Sequence, residues 1–261
     1  MGFNGVIHYF YAKFSFVQMI TKKRLLLLLL FAPLFAFAAD NDTTRAINKA
    51  IENIKSKGDN VRPMMVPTLH HLIKTYQIDL NIEKQKKRMI ANATGNDLVF
   101  LRFFDDNLKA PESLVQNMPG IDHTTAAALY CDCYGLPSSF FTDINDMAYS
   151  EGYGLPHALL ALAMIEERKC KYDTIAFNKS KAMLIPYIET LIFNQKPTSD
   201  IGVEAIVMLY ISGYASKVKN VWIEEIIKAQ GPNGSWGDDN EHTTVLALWA
   251  LLEANRTSLK K

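Results

Sequence analysis

Three histidines stand at equivalent positions, each at the start of an apolar segment. His123 and His242 both begin His-Thr-Thr followed by a run of small and apolar residues, and His157 begins a similar run without the threonines. Each run is apolar around most of its circumference, which predicts a buried helix with the histidine at its N-terminus. A helix N-terminus keeps an imidazole neutral, and neutral imidazoles are good zinc ligands. Zinc held by His123, His157 and His242 would activate a water molecule for hydrolysis.

The histidines also have a structural explanation. A histidine at a helix start can bond the turn before it, and repeats inherit residues by duplication without using them. Cys131 lies roughly 12 Å beyond His123 along the same predicted helix, so it is a poor co-ligand for that histidine. A metal-dependent hydrolase is therefore one hypothesis among three.

Carboxylates beside the histidines support a second hypothesis. Asp122 and Glu241 immediately precede two of the histidines, while Glu151 and Asp146 lie in or near the loop before His157. Paired acids cleave glycans, so Asp122, Glu151 and Glu241 are candidate catalytic residues of a glycan-acting hydrolase or lyase. Aromatic residues that could stack on sugar rings are Tyr130, Tyr149, Tyr153, Trp236 and Trp249. Alternatively, the acids are N-terminal helix caps that the helix dipole favours, and Tyr130 and Trp249 are core residues.

The third hypothesis is a non-catalytic binding module. Its central cavity would take a small molecule, a glycan or a peptide. The residues that we expect at the cavity mouth under any hypothesis are His123, His157, His242, Glu204, Tyr153 and Trp236.

Repeats fix the expected architecture. A fourth copy, Gly202–Tyr210, has Val203 where the others have histidine, and the copies begin about 40 residues apart. More amphipathic segments lie between the copies, at Phe177–Phe193, with a break expected near Pro186, and at Val221–Ala229. Alternating inner and outer helices predict an α/α toroid whose inner helices run parallel around a cavity. An open solenoid would give the same pattern, but the equal burial of the copies favours closure.

The rest of the chain also predicts helices. Helical spacing or context indicates Thr43–Ile54, Leu69–Ile78, Ile82–Ala93 and Leu98–Phe104. Sustained alternation and hairpin signals are absent from the sequence, so the prediction is an all-α fold.

One stretch resembles a known family. Ile226–Gln230 followed by Gly231–Gly237 is similar to the QW repeat of squalene and terpenoid cyclases, in the α/α-toroid superfamily that includes protein prenyltransferase β subunits. The motif is structural, because its Gln bonds backbone groups orphaned at a helix end and its Trp packs against the next helix.

The resemblance also implies zinc, which prenyltransferase β subunits bind with an Asp, a Cys and a His. Here His242 resembles the zinc histidine in its context. Asp-x-Cys is absent as such, although Cys131-Asp132-Cys133 comes close. An Asp-x-Asp-Asp motif is also absent, and the chain is too short for a two-domain cyclase.

The first residues resemble a signal peptide. Lys22, Lys23 and Arg24 precede an apolar run that ends in Ala36-Phe37-Ala38, which indicates a start at Met19 and cleavage after Ala38. The apolar run is shorter than the about 20 residues of a membrane span, although an uncleaved anchor is the alternative. We therefore expect residues 1–38 to be removed and residues 39–261 to form a single toroid domain, secreted or periplasmic, without a membrane span.

Charge and cysteine content limit the partners. The chain has 28 Lys and Arg against 27 Asp and Glu, and the predicted signal removes basic residues and no acid. A slightly acidic chain without a basic stripe argues against a nucleic-acid partner. In an exported protein Cys170 could form a disulfide with Cys131 or Cys133.

Overall fold

The described part of the chain is entirely helical. A computed structural model describes residues 42–150 and 152–258 of the 261-residue chain. These residues form thirteen α-helices and no strand, which confirms the all-α prediction. The helices are α1 (Asp42–Lys57), α2 (Val66–Tyr76), α3 (Glu83–Asn92), α4 (Asp97–Phe100), α5 (Glu112–Gln116), α6 (Asp122–Leu129), α7 (Cys131–Tyr134), α8 (Phe140–Met147), α9 (Gly154–Glu167), α10 (Thr174–Gln195), α11 (Asp200–Ile211), α12 (Asn220–Lys228) and α13 (Glu241–Ser258).

The four sequence repeats become the buried helices α6, α9, α11 and α13. Helix α9 packs against α6 and α11, and α11 packs against α13. All nine residues from Gly202 to Tyr210 are buried, as are all but one from Glu241 to Glu253. Burial on almost every side explains why these segments lack a polar face.

Helix α10 corrects one expectation. The sequence predicts a break near Pro186, but the helix runs without interruption from Thr174 to Gln195 with that proline inside it. A proline removes one backbone hydrogen bond. Helix α10 also packs against α9 and α11, with Leu184 and Ile188 fully buried, and this packing stabilises the helix through the proline.

The turn before α13 fastens the first described helix to the last. Gln230 Nε2 donates to the carbonyl of Ala46 in α1 at 2.8 Å and to that of Gly234 at 3.1 Å. Gly234 has φ +86°, and a Cβ there would collide with the Lys49 carbonyl oxygen. Trp236 is 2% exposed and donates from Nε1 to the Ile226 carbonyl. The motif therefore joins α1, α12 and α13.

A disulfide joins Cys131 in α7 to Cys170 after α9, which is one of the two pairings that the sequence left open. Cys133 is a free, half-buried thiol. Residues 1–38, with the predicted signal peptide, lie outside the described residues. Within residues 42–150 and 152–258, no helix is both long enough and apolar enough to cross a membrane.

Candidate functional site

Residues of the four repeat helices line one cavity of about 820 Å³. On each helix the lining residues are three or four positions apart, so they share one helix face. They are Asp122 and Thr125, His157 and Leu160, Glu204 and Met208, and His242, Leu246 and Trp249. The rest of the lining comes from residues 59–68 and 85–103. It includes the apolar residues Met64, Met65, Met89, Phe100 and Phe103 and the charged residues Asp59, Arg62, Arg88 and Asp97.

His242 is oriented by Asp200, the first residue of α11. Its Nδ1–H donates to the Asp200 carboxylate at 2.9 Å. Thr243 Oγ1 donates to Oδ1 of the same carboxylate at 2.6 Å, and the Tyr153 hydroxyl donates to Oδ2 at 2.5 Å. Since Nδ1 is engaged, Nε2 is the nitrogen that His242 can offer to a ligand.

Asp200 and His242 shift each other's pKa values in opposite directions. Burial alone would raise the pKa of Asp200, but the hydrogen bonds from His242, Thr243 and Tyr153 together outweigh burial and lower that pKa to about 2. Burial would likewise lower the pKa of His242, but the hydrogen bond and charge of Asp200 raise it above the ordinary value of 6.5. His242 therefore holds its proton to a higher pH than an ordinary histidine, beside the Asp200 anion.

Glu204 lies in the same wall with incomplete bonding. It is 4% exposed, and its Oε2 has no hydrogen-bond partner within the described protein. Burial raises its pKa to about 7, with the nearby charge of His242 acting against the shift and that of Asp200 adding to it. A buried carboxyl that titrates near neutral pH is a typical general acid or base.

His157 lies between Glu204 and Asp122. Its Nε2 is 3.5 Å from Glu204 Oε1, and its Nδ1 is 3.5 Å from Asp122 Oδ1. Burial lowers the pKa of His157, so the ring is neutral at pH 7. A neutral imidazole carries one N–H and one lone pair, so it can pass a proton between a buried and a half-exposed carboxyl.

His123 does not join the other two histidines. Its Nδ1–H donates to the Gly120 carbonyl at 2.8 Å, and its Nε2 is 3.4 Å from Asp143 Oδ2. Successive helical residues point about 100° apart, and in α6 it is Asp122 that lines the cavity. The expectation of three histidines facing one space is therefore wrong for His123.

Glu241 and Trp236, which we expected at the site, instead make buried contacts between elements of the fold. The Glu241 side chain is buried and accepts a hydrogen bond from the Arg62 backbone N–H at 2.8 Å. Trp236 is buried between α12 and α13 and does not line the cavity. Tyr153 lies beside the cavity wall, edge-on to His242. Glu151 lies outside the described residues.

The described residues do not fit the implied zinc. Within residues 42–150 and 152–258, no three His, Cys, Asp or Glu side chains are grouped to hold a metal ion. Cys131 is in the disulfide, and His123 is bound to Gly120.

Asp200 is a candidate site residue that the sequence did not reveal. It is the first residue of α11, two positions before the repeat copy that lacks the histidine, and its carboxylate contacts His242 of the next repeat. An acid at the start of a helix is typical of a helix cap. The contact between Asp200 and His242 depends on the packing of α11 against α13, which the sequence does not show.

Comparison of the chain with protein-family models, curated proteins and solved structures found no match.

Proposed function

We propose that this protein is an exported α/α toroid that hydrolyses a small, mainly apolar ligand by general acid–base catalysis in its central cavity. The observation that carries the proposal is the Asp200–His242 pair beside the buried Glu204 in the wall of one cavity. The successive packing of α6, α9, α11 and α13, together with the packing of α1 on α13, supports a ring. The disulfide and the predicted signal peptide support export.

The pKa values assign the two roles. At pH 7 about half of Glu204 is carboxylate, which can accept a proton from water. When the ligand is an ester, the water oxygen bonds to the carbonyl carbon and the C–O bond to the leaving group breaks. His242 Nε2 then gives its proton to the leaving oxygen. Glu204 then loses a proton to solvent and His242 regains one.

His157 supplies the path for the Glu204 proton. Glu204 is buried, whereas the side chain of Asp122 is 42% exposed, and His157 is 3.5 Å from each. These distances are long for hydrogen bonds, as is common in catalytic sites without substrate. If both contacts shorten during turnover, His157 passes the proton from Glu204 to Asp122, which releases it to solvent.

The geometry favours this mechanism over paired acids on a glycan. The Glu241 carboxylate accepts a hydrogen bond from the Arg62 backbone N–H, and methionine and phenylalanine side chains form part of the cavity lining. The same apolar side chains support a second candidate, a non-catalytic module that binds an apolar ligand.

The test is hydrolysis of 4-methylumbelliferyl acetate, butyrate and octanoate by the mature protein, followed by fluorescence. We expect turnover whose rate rises with a midpoint near pH 7 as Glu204 ionises, and falls again as His242 loses its proton. Glu204→Gln and His242→Gln should each reduce kcat/KM by about 100-fold or more. His123→Gln, which alters a histidine outside the cavity, should leave the rate unchanged.

Turnover that survives Glu204→Gln would refute the mechanism. The absence of turnover for all three esters, together with saturable binding of a nonhydrolysable ether analogue, would favour the binding module.

A further inference from the structure

The arginines that lack a carboxylate partner line the cavity. Residues 42–150 and 152–258 contain six arginines. Four of them pair with a carboxylate at 2.6–3.0 Å, namely Arg45, Arg102, Arg168 and Arg256. The side chains of the other two, Arg62 and Arg88, make no hydrogen bond or ion pair with the described residues, and both are exposed and line the cavity. A guanidinium is a planar fork of N–H donors that fits a carboxylate, so two unpaired ones at one cavity indicate an anionic ligand.

Arg62 is held in position by its backbone. Its N–H donates to Glu241 Oε1 at 2.8 Å, and its carbonyl accepts from the Met65 N–H at 2.9 Å. The next residue is Pro63, which restricts Arg62 to extended backbone angles, and Arg62 has φ −63° and ψ 134°. The fold therefore sets the direction in which the Arg62 side chain leaves the backbone, without a bond from the guanidinium itself.

Arg62 also lies close to His242. Glu241, which binds the Arg62 backbone, immediately precedes His242 in the chain. In addition to burial, the positive charge of Arg62 acts against the raised pKa of His242. Both side chains are accessible in the cavity, since that of His242 is 26% exposed and Arg62 is exposed. A ligand in the cavity can therefore place one group at His242 and another at Arg62.

The acids of the cavity leave Arg62 open. Four acidic residues contribute to the lining, Asp59, Asp97, Asp122 and Glu204, and none of them pairs with Arg62. Asp59 pairs with Lys84, and the charge of Arg88 adds to the lowering of the Asp59 pKa that Lys84 causes. Asp59 therefore offsets part of the Arg88 charge, which makes Arg62 the arginine that a ligand anion fits best.

We propose that Arg62 binds a carboxylate of the ligand, so that the cavity selects apolar molecules that end in a carboxylate. The guanidinium holds the carboxylate through two parallel N–H···O bonds, while Met64, Met65 and Phe103 contact the apolar part. This inference rests on the proposed function of the cavity and adds the class of ligand. For the hydrolase, the substrate is a monoester of a dicarboxylic acid, with its free carboxylate at Arg62 and its ester at His242.

The first test compares octanoate with octanamide by isothermal titration calorimetry, because the two differ chiefly in charge. At about pH 6 octanoate is ionised. The Glu204 carboxyl, with its pKa raised to about 7 by burial, is then largely protonated and does not repel the ligand. We expect the wild type to bind octanoate about fivefold to tenfold more tightly than octanamide, the effect of one charged hydrogen-bonded pair at an accessible site.

Three variants assign the effect to Arg62. Arg62→Gln should bring the two dissociation constants within about twofold of each other. Arg62→Lys keeps the charge but loses the fork, so it should retain a preference of about threefold. Arg88→Gln is the matched control, because it removes the same charge from the same cavity, and it should keep the wild-type ratio. The bond to Glu241 comes from the Arg62 backbone, so the Arg62 variants should unfold at the wild-type temperature.

The second test measures substrate selection. The mono-4-methylumbelliferyl esters of adipic, suberic and sebacic acid carry a free carboxylate at increasing distance from the ester. We expect at least one of them to exceed the uncharged 4-methylumbelliferyl octanoate in kcat/KM by about fivefold to tenfold, through a lower KM. Arg62→Gln should remove that advantage and leave hydrolysis of the uncharged ester unchanged.

Equal affinity of the wild type for octanoate and octanamide, or a preference that survives Arg62→Gln, would overturn the inference and leave hydrolysis of uncharged esters standing. An equal loss in Arg88→Gln would overturn the assignment to Arg62, because it would show a general effect of cavity charge. Arg62-dependent binding of octanoate without hydrolysis of any ester would support the inference and overturn the hydrolase. Failure of both compounds to bind would overturn the inference and the ligand-binding role of the cavity together.

Discussion

Glu204 in α11 and Glu253 in α13 are two buried glutamates with opposite surroundings. They are 4% and 3% exposed. Glu253 Oε1 accepts from the Tyr76 hydroxyl at 2.6 Å, and both of its oxygens accept from Arg256. Glu204 has one unpartnered oxygen and a histidine at 3.5 Å.

The difference separates a structural acid from a reactive one. Hydrogen bonds and a cation compensate the buried charge of Glu253, so that carboxylate joins α2 to the last turns of α13. Glu204 accepts no such hydrogen bonds, and burial outweighs the nearby charge of His242 and raises its pKa to about 7. An uncompensated acid costs stability at alkaline pH, a cost that selection tolerates at a functional site.

Glu204→Gln should give the largest effect. The pKa of Glu204 is raised from 4.5 to about 7, so its contribution to stability is complete below pH 4.5 and is lost as the pH rises through about 7. The variant should therefore match the wild type at pH 4.5 and exceed it at pH 9 by on the order of 3 kcal/mol. Urea unfolding at both pH values measures the difference. Parallel pH profiles for the two proteins would contradict the assignment.

Glu253→Gln should have the opposite sign. It removes the charge that Arg256 contacts and weakens the bond from Tyr76, at a cost of about 2 kcal/mol at pH 7. The same urea experiment measures this loss. Equal stabilities of this variant and the wild type would remove the contrast between the two glutamates.

Asp200→Asn should cost about 1–2 kcal/mol at neutral pH. The pKa of Asp200 is lowered from 3.8 to about 2, so its carboxylate stabilises the fold above pH 3.8 and loses that effect as the pH falls through about 2. Loss of the carboxylate should also lower the pKa of His242, which an NMR titration of the His242 Hε1 proton would detect. An unchanged His242 titration would show that Asp200 does not hold the imidazolium.

His123→Gln should have the smallest effect, below about 0.5 kcal/mol, because the side chain is 37% exposed and its contact with Asp143 is a surface one. Thermal unfolding measures the change. A larger loss, or a changed ester-hydrolysis rate, would return His123 to the site.

The sequence predicted the helices and part of the site. Apolar runs identified α6, α9, α11 and α13, because burial on all sides leaves a pattern that composition alone reveals. The repeat alignment predicted that His157 and His242 face a common space, and both line the cavity. It failed for His123, because alignment fixes the position along a helix but not the rotation of α6 about its axis.

The remaining site residues depend on tertiary contacts. Asp200 binds a histidine that is 42 positions away. Gln85 lines the cavity from α3, although the charged residues of that helix are typical of a solvent-exposed one. Burial also sets the pKa of Glu204, which no local pattern of residues encodes.

The contacts between α1 and the turn before α13 join two parts of the chain that are synthesised far apart in time. Gln230 binds Ala46 across 184 positions, and Asn53 binds Asn233 across 180. During synthesis α1 therefore emerges long before its partners, and its buried face, Ala46, Ile47, Ala50 and Ile54, must wait unpaired. Contacts between such distant residues slow folding, because the long loop between them must close before the contacts can stabilise the fold. A chain halted before Gln230 would leave that face uncovered, as a surface for chaperones or for aggregation.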